Sequence, residues 1–105
     1  MKVYIVCEVQ YCIGCAMSEA ESLGVWAETY RTFVDAFNAA KERADEAIYI
    51  AYEGTDERDA RTDEAMAELF GDAKPCDVTK EEASMGWSWG NCDHAYVWRI
   101  IESEV

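Results

Sequence analysis

Between Tyr30 and Ala44 the apolar residues Tyr30, Phe33, Val34, Phe37, Ala40 and Ala44 recur at the three- and four-residue spacing of one helical face. The spacing predicts the main helix of the chain. Thr29 stands just before it, where a hydroxyl can accept an N–H that the first helical turn leaves unpaired. Ahead of it, Leu23, Val25 and Ala27 alternate with Gly24, Trp26 and Glu28, the period of a half-buried strand. Residues 2–10 (KVYIVCEVQ) read as another strand by their β-branched and aromatic content. Val3, Ile5, Cys7 and Val9 face one way and Lys2, Tyr4, Val6 and Glu8 the other, with Cys7 expected as a small buried hydrophobe.

Beyond the main helix, residues 46–53 (EAIYIAYE) are apolar on both faces and predict a central strand ended by Gly54. Residues 55–71 (TDERDARTDEAMAELFG) predict a second helix. It starts near Thr62, or as early as Thr55, has a thin stripe of Ala65, Met66, Leu69 and Phe70, and ends at a cap on Gly71. Pro75 marks a loop over residues 72–78. Thr79 with Glu82 forms a capping box, so one helical turn runs to Met85 before Gly86 stops it. Residues 87–91 (WSWGN) are extended or turn. Residues 95–105 (AYVWRIIESEV) predict a long strand with Tyr96, Trp98 and Ile100 on one face and Val97, Arg99 and Ile101 on the other. The simplest way to bury this pattern is an α+β fold of two layers. It has a mainly antiparallel sheet of about four strands, with one main helix and a second, shorter acidic helix packed on it.

The 105 residues suit one domain, and half of them are apolar, enough for a core. Charge narrows function more than length does. Lys and Arg number 9 against 22 Asp and Glu, a net charge of −13. Residues 35–83 alone carry six basic against fifteen acidic residues, −9. Direct nucleic-acid binding is disfavoured by such a surface. No basic and apolar leader and no apolar run near ~18 residues stands in the sequence, so a cytoplasmic protein without membrane insertion is expected. Five cysteines, an odd number, argue for reduced thiols over a disulfide framework.

The KVYIV strand, the strand from Gly24 running into Thr29, the Ala-rich helix at Ala36 and the closing strand from Trp98 to Val105 resemble small uncharacterised α+β proteins. These are of the kind common in bacteriophage and mobile-element genomes. The resemblance covers roughly a quarter of the chain and implies no catalytic activity.

Cysteine chemistry offers two constellations. Cys12 and Cys15, with Cys92 and His94, supply four ligands of the kind that enclose a structural zinc, and they could meet at one end of the sheet if the first and last strands are neighbours. The second pair has one intervening residue where two to four are usual, and Cys76 competes. Alternatively, Cys12-Ile13-Gly14-Cys15 after a strand is similar to the opening of a glutaredoxin, which implies a thiol-disulfide oxidoreductase with Cys12 as nucleophile and Cys15 as resolving thiol. That family needs a cis-proline after an apolar β-branched residue, whereas Pro75 follows Lys74. His94 is the single histidine, and no spacing pairs it with a nucleophile. The acids of residues 55–71 lack the alternating oxygen ligands and glycine of a calcium loop. A protein without catalytic residues is expected.

Acidity is then the strongest functional signal. Regularly spaced carboxylates on a folded surface compete with a phosphate backbone for a basic groove, because such a groove responds to the sign and density of charge. Asp56, Glu57, Asp59, Asp63, Glu64 and Glu68 are the candidate contacts to Lys and Arg of a basic nucleic-acid-binding host protein. Trp87 and Trp89 are the candidate aromatic anchors. Size, acidity and the resemblance point together to phage-encoded inhibitors of bacterial defence, the anti-CRISPR proteins among them. The competing reading is a merely solvated acidic face. A homodimer through an exposed strand edge is compatible with either.

Overall fold

The two ends of the chain pair with each other along their whole length. The computed structural model describes residues 1–12, 21–91 and 94–105. Strand β1 (Lys2–Cys12) and the closing strand β4 (His94–Glu104) run antiparallel, from Lys2 opposite Glu104 to Cys12 opposite His94. Strand β2 (Glu21–Tyr30) pairs antiparallel with the other edge of β1, with a register shift between Gln10 and Tyr11. Strand β3 (Trp87–Gly90) pairs with β4, giving a four-stranded antiparallel sheet in the order β2-β1-β4-β3.

The helices are α1 (Phe33–Ala51), α2 (Arg58–Leu69) and α3 (Lys80–Met85), with a 3-10 turn at Pro75–Asp77. The α+β class and the antiparallel sheet match the sequence pattern, but one element changes type. Residues 46–53 are not a central strand: through Ala51 they continue α1, and the fourth strand is instead the short Trp87–Gly90. No glycine or proline interrupts the chain between Ala44 and Ala51, so nothing stops the helix there. The N-cap also moves. Thr32 accepts from the Asp35 N–H at 3.1 Å, while Thr29 lies within β2 opposite Ile5. Tyr30 accordingly ends the strand, and Val34, expected in the apolar stripe, is exposed.

Helix α1 buries Ala36, Phe37, Ala40, Ala44 and Ile48 against one face of the sheet. That face carries Val6, Tyr96, Trp98 and Ile100, with Tyr4 and Trp26 packed at its margin. Small residues along α1 bring its axis close to the sheet, and the large rings of Trp98 and Phe37 fill the space between. Helix α2 supplies Ala65 and buries its Thr62 side chain, whose hydroxyl donates to the Arg58 carbonyl at 2.8 Å. Helix α3 lies against β4 beyond the end of β3. Its expected capping box is present: Glu82 N–H donates to Thr79 Oγ1 at 3.0 Å and Thr79 N–H to Glu82 Oε1 at 3.1 Å. Gly86 ends it with a φ of 83°, where an added Cβ would stand 2.3 Å from the Trp98 carbonyl oxygen.

The opposite face of the sheet presents Val3, Ile5, Cys7, Val9 and Tyr11 from β1, with Val25, Ala27 and Thr29 from β2 and Val97, Arg99 and Ile101 from β4. None of these belongs to the core between helix and sheet. Cys7, expected to be buried, is half-buried on this face. The helix packs on the side holding Tyr4, Val6 and Glu8, because Tyr96, Trp98 and Ile100 stand beside them in register.

Candidate functional site

Helix α2 and the turn before it form an outer wall whose acids are unneutralised. Asp56, Glu57, Asp59, Asp63, Glu64 and Glu68 are all exposed, and none joins an ion pair among the described residues. The two arginines of the helix lie near tyrosine rings instead of pairing with these acids. Arg58 stacks on the Tyr49 ring at 3.5 Å and its Nε donates to the Tyr49 carbonyl at 2.7 Å, while Arg61 lies 6.0 Å from the Tyr52 ring. Arg58 is thus held at the C-terminal end of α1, while Arg61 stays among the carboxylates without an ion pair to any of them among the described residues. Glu57 occupies the N-cap in left-handed backbone, φ 62° and ψ 32°, without a side-chain cap bond.

Spacing sorts these acids. Glu57, Arg61, Glu64 and Glu68 follow one another at intervals of four, three and four, so they share one stripe of α2. With Tyr52, Ala65 and Trp89 they line an open cleft of about 400 Å³. Trp89 packs edge-on to Tyr52 at 5.5 Å, which holds its ring beside the carboxylates. Asp63 borders a different depression with Lys41 and Asp45, and Asp56 and Asp59 lie outside both clefts. Trp87, half-buried, packs against the core through Phe37 and Phe70, at 5.9 and 5.0 Å, and lines neither cleft. Of the eight residues expected to contact a partner, Glu57, Glu64, Glu68 and Trp89 are therefore brought together. Asp56, Asp59 and Asp63 extend the same charge around the helix.

A second polar group sits deeper, and the sequence pattern did not single it out. Glu8 is nearly buried on the helix side of β1, accepts from Trp98 Nε1 at 2.7 Å and forms an ion pair with the Arg43 guanidinium. Arg43 in turn covers the Trp26 ring at 4.0 Å. A carboxylate on the same side of β1 as Tyr4 and Val6 was the available signal, since a buried charge requires a partner. Next to this pair an open cleft of about 330 Å³ is lined by Gln10, Glu46, Ala47, Ile50 and Tyr96 as well. Burial, helped by the Glu8 charge, pushes the Tyr96 phenol above its ordinary pKa, so it stays protonated. The arrangement is a shielded ion pair between two tryptophans, and it supports the helix on the sheet.

The cysteine constellations are only partly within view. Cys12 and His94 are direct cross-strand partners at one end of β1 and β4, as the zinc reading requires of the first and last strands. Cys15 and Cys92 lie outside the described residues. No group of three or more His, Cys, Asp or Glu side chains gathers as metal ligands among the described residues. For the oxidoreductase reading, Cys12 is the last residue of a strand, and the strands on either side of Cys12–Cys15 are antiparallel neighbours. A glutaredoxin-like opening instead leads through a helix toward a parallel strand. Among the described helices, none is long and apolar enough to cross a membrane.

Compared with protein-family models, with curated proteins and with solved structures, the chain matches none.

Proposed function

We propose that this protein is a non-enzymatic binding protein whose acidic α2 wall occupies a basic, nucleic-acid-binding groove of a host protein. On this reading it acts as an inhibitor of the kind that phage encode against bacterial defence. One observation carries the proposal: six carboxylates stand on α2 and the turn before it with no ion pair among the described residues, while Arg58 beside them is held on the Tyr49 ring and carbonyl. A protein selected for stability alone would gain by pairing them, since like charges four residues apart cost a few tenths of a kcal/mol each. In the bound state Glu57, Glu64 and Glu68 meet Lys and Arg of the groove, and Trp89 supplies apolar area at the margin of the cleft. Asp56, Asp59 and Asp63 raise the association rate through their field. The partner is basic and binds nucleic acid, and the chain itself binds neither nucleic acid nor membrane.

The test is a capture from bacterial lysate at low and at high salt, followed by competition. A nucleic-acid-binding protein retained at low salt, released at high salt and displaced by added duplex DNA or RNA is the expected result. Retention should fall about tenfold or more with Glu57, Glu64 and Glu68 changed together to Gln, given ~1 kcal/mol for each charge-assisted contact. A captured protein that nucleic acid does not displace, or that the triple variant retains equally, overturns the proposal, as does the absence of any basic nucleic-acid-binding protein in the captured material.

A further inference from the structure

We infer that the helix-free face of the sheet is the contact surface for a second copy of this chain, so that two sheets pack face to face in a dimer of four layers.

The first support is the pattern of the face. Val9 stands between Val25 and Val97, and Ile5 is directly opposite Ile101, so a continuous apolar strip crosses the three long strands. Val25 is 72% exposed, Ile5, Val9, Val97 and Ile101 are half-buried, and Val3 at the end of the strip is buried. A sheet with one face on a core and the other in water alternates apolar inward and polar outward. Here β1 inverts that rule, placing Glu8 under the helix and Ile5 and Val9 outside.

Charge then chooses the occupant. In a chain where 22 of 105 residues are acidic, the described side chains of this face include no Asp or Glu. The strand acids Glu8, Glu28 and Glu102 alternate to the helix side. Among the described residues the single charge on the free face is Arg99, whose Nε donates to the Ser84 carbonyl at 2.6 Å. Two copies at −13 repel through almost any other approach. Meeting through this face sets their helical layers about 30 Å apart, three packing distances of roughly 10 Å, which is well beyond the Debye length of about 8 Å at physiological salt. A basic partner has no reason to prefer a face whose described side chains include no carboxylate.

Area is adequate as well. β1 and β4 are each 11 residues long. At about 3.3 Å per residue and about 4.8 Å between strands, the three long strands and β3 cover roughly 600 Å² per copy, or about 1,200 Å² for the pair. That reaches the lower bound of stable, specific interfaces. The molecule measures 44 × 31 × 18 Å, so its thin axis is two layers and its broad face is the sheet. Aligned packing of two twisted sheets at about −30° is the ordinary geometry for such a contact.

Sedimentation velocity of the reduced full chain, at rising concentration in low and in about 1 M NaCl, tests the inference. A species of twice the 11.9 kDa chain mass is expected, tightening with salt as repulsion is screened. Val25→Glu and Val97→Glu should each weaken it about tenfold or more. Because Val25 is already exposed, Val25→Glu leaves the far-ultraviolet circular dichroism unchanged. Cys7, at the centre of the face, should react more slowly with maleimide as the protein concentration rises. A chain that stays monomeric at about 100 µM in high salt overturns the inference. So does a dimer indifferent to Val25→Glu and Val97→Glu, which would place the contact at the β2 edge. The acidic wall points outward in this dimer, so loss of the dimer leaves the charge-dependent capture above intact, and loss of capture leaves the dimer intact.

Discussion

Gly86 shows how much one backbone position holds. Its φ of 83° lies where side chains are rarely tolerated, and a Cβ there would meet the Trp98 carbonyl oxygen at 2.3 Å, a backbone atom that cannot swing aside. Trp98 is the largest fully buried side chain and holds Glu8 through its indole N–H, so the strain would spread to the centre of the sheet. Gly86→Ala is expected to cost about 3 kcal/mol or more in urea unfolding. A loss below about 1 kcal/mol would mean that α3 shifts freely relative to β4. Glu102 offers a milder, pH-dependent test. The Lys80 ammonium at 2.6 Å, with Lys2 at 3.3 Å, holds its carboxyl below the ordinary carboxylate pKa. A carboxyl depressed in the folded state stabilises above the unfolded pKa of about 4.3 and loses that contribution as pH falls through the folded value. Glu102→Gln should therefore lower Tm at pH 7 and converge on the parent near pH 3. A gap that persists in acid would assign its role to packing.

At the scale of elements, Ile48 and Ile50 separate the helix from the strand that residues 46–53 suggest. In a strand the two share a face; in a helix they point some 200° apart. Here Ile48 is fully buried and Ile50 is 53% exposed. Ile48→Ala should cost about 3 kcal/mol and Ile50→Ala less than about 0.5 kcal/mol by urea unfolding, and equal losses would restore the strand. The cap gives a parallel contrast, with Thr32→Ala expected to cost about 1 kcal/mol and Thr29→Ala little. These two places mark the limits of what the pattern could tell. The long end strands were legible from alternation, and the box at Thr79 and Glu82 from its spacing, because each signal is local. The extension of α1 was not, since Ile48, Tyr49 and Ile50 favour strands and only the continuity of the chain and packing on the sheet make them helical. Trp87–Gly90 is too short for its period to show, and its strand character comes from pairing with β4. Alternation in β1 gave two faces but not which one is covered; Trp98, 90 residues away in the chain, decides that. The acidic wall was legible as composition, whereas the grouping of Glu57, Glu64 and Glu68 with Trp89 depends on α2 lying beside β3.

For the whole molecule, the question is whether the acids stabilise the fold or burden it. A net charge of −13 on 105 residues implies self-repulsion in the compact state, which salt screens. Salt also weakens ion pairs, and four are present among the described residues: three well exposed on at least one side, the fourth between Arg43 and Glu8. Exposed pairs contribute about 0–1 kcal/mol each, so screening the many unpaired carboxylates should outweigh their loss. Tm is expected to rise by several degrees between about 0.05 and about 0.5 M NaCl, on the scale of about 4–8 °C per kcal/mol for a chain of this size. Hydrophobic strengthening by salt is a competing cause, and α2 distinguishes it. Glu68 lies in the last turn of that helix, where the dipole disfavours an anion and no basic residue compensates. Changing Glu64 and Glu68 together to Gln removes that charge and the like charge four residues before it, at little cost in helix propensity. The double variant should be more stable than the parent at low salt, by about 0.5–1 kcal/mol, and should respond less to added salt. A double variant less stable than the parent would make these carboxylates part of what holds the fold and remove the reason to look for a partner. The expected gain would instead mean that the chain keeps an acidic helix at the expense of its own stability, as sites retained for binding often are.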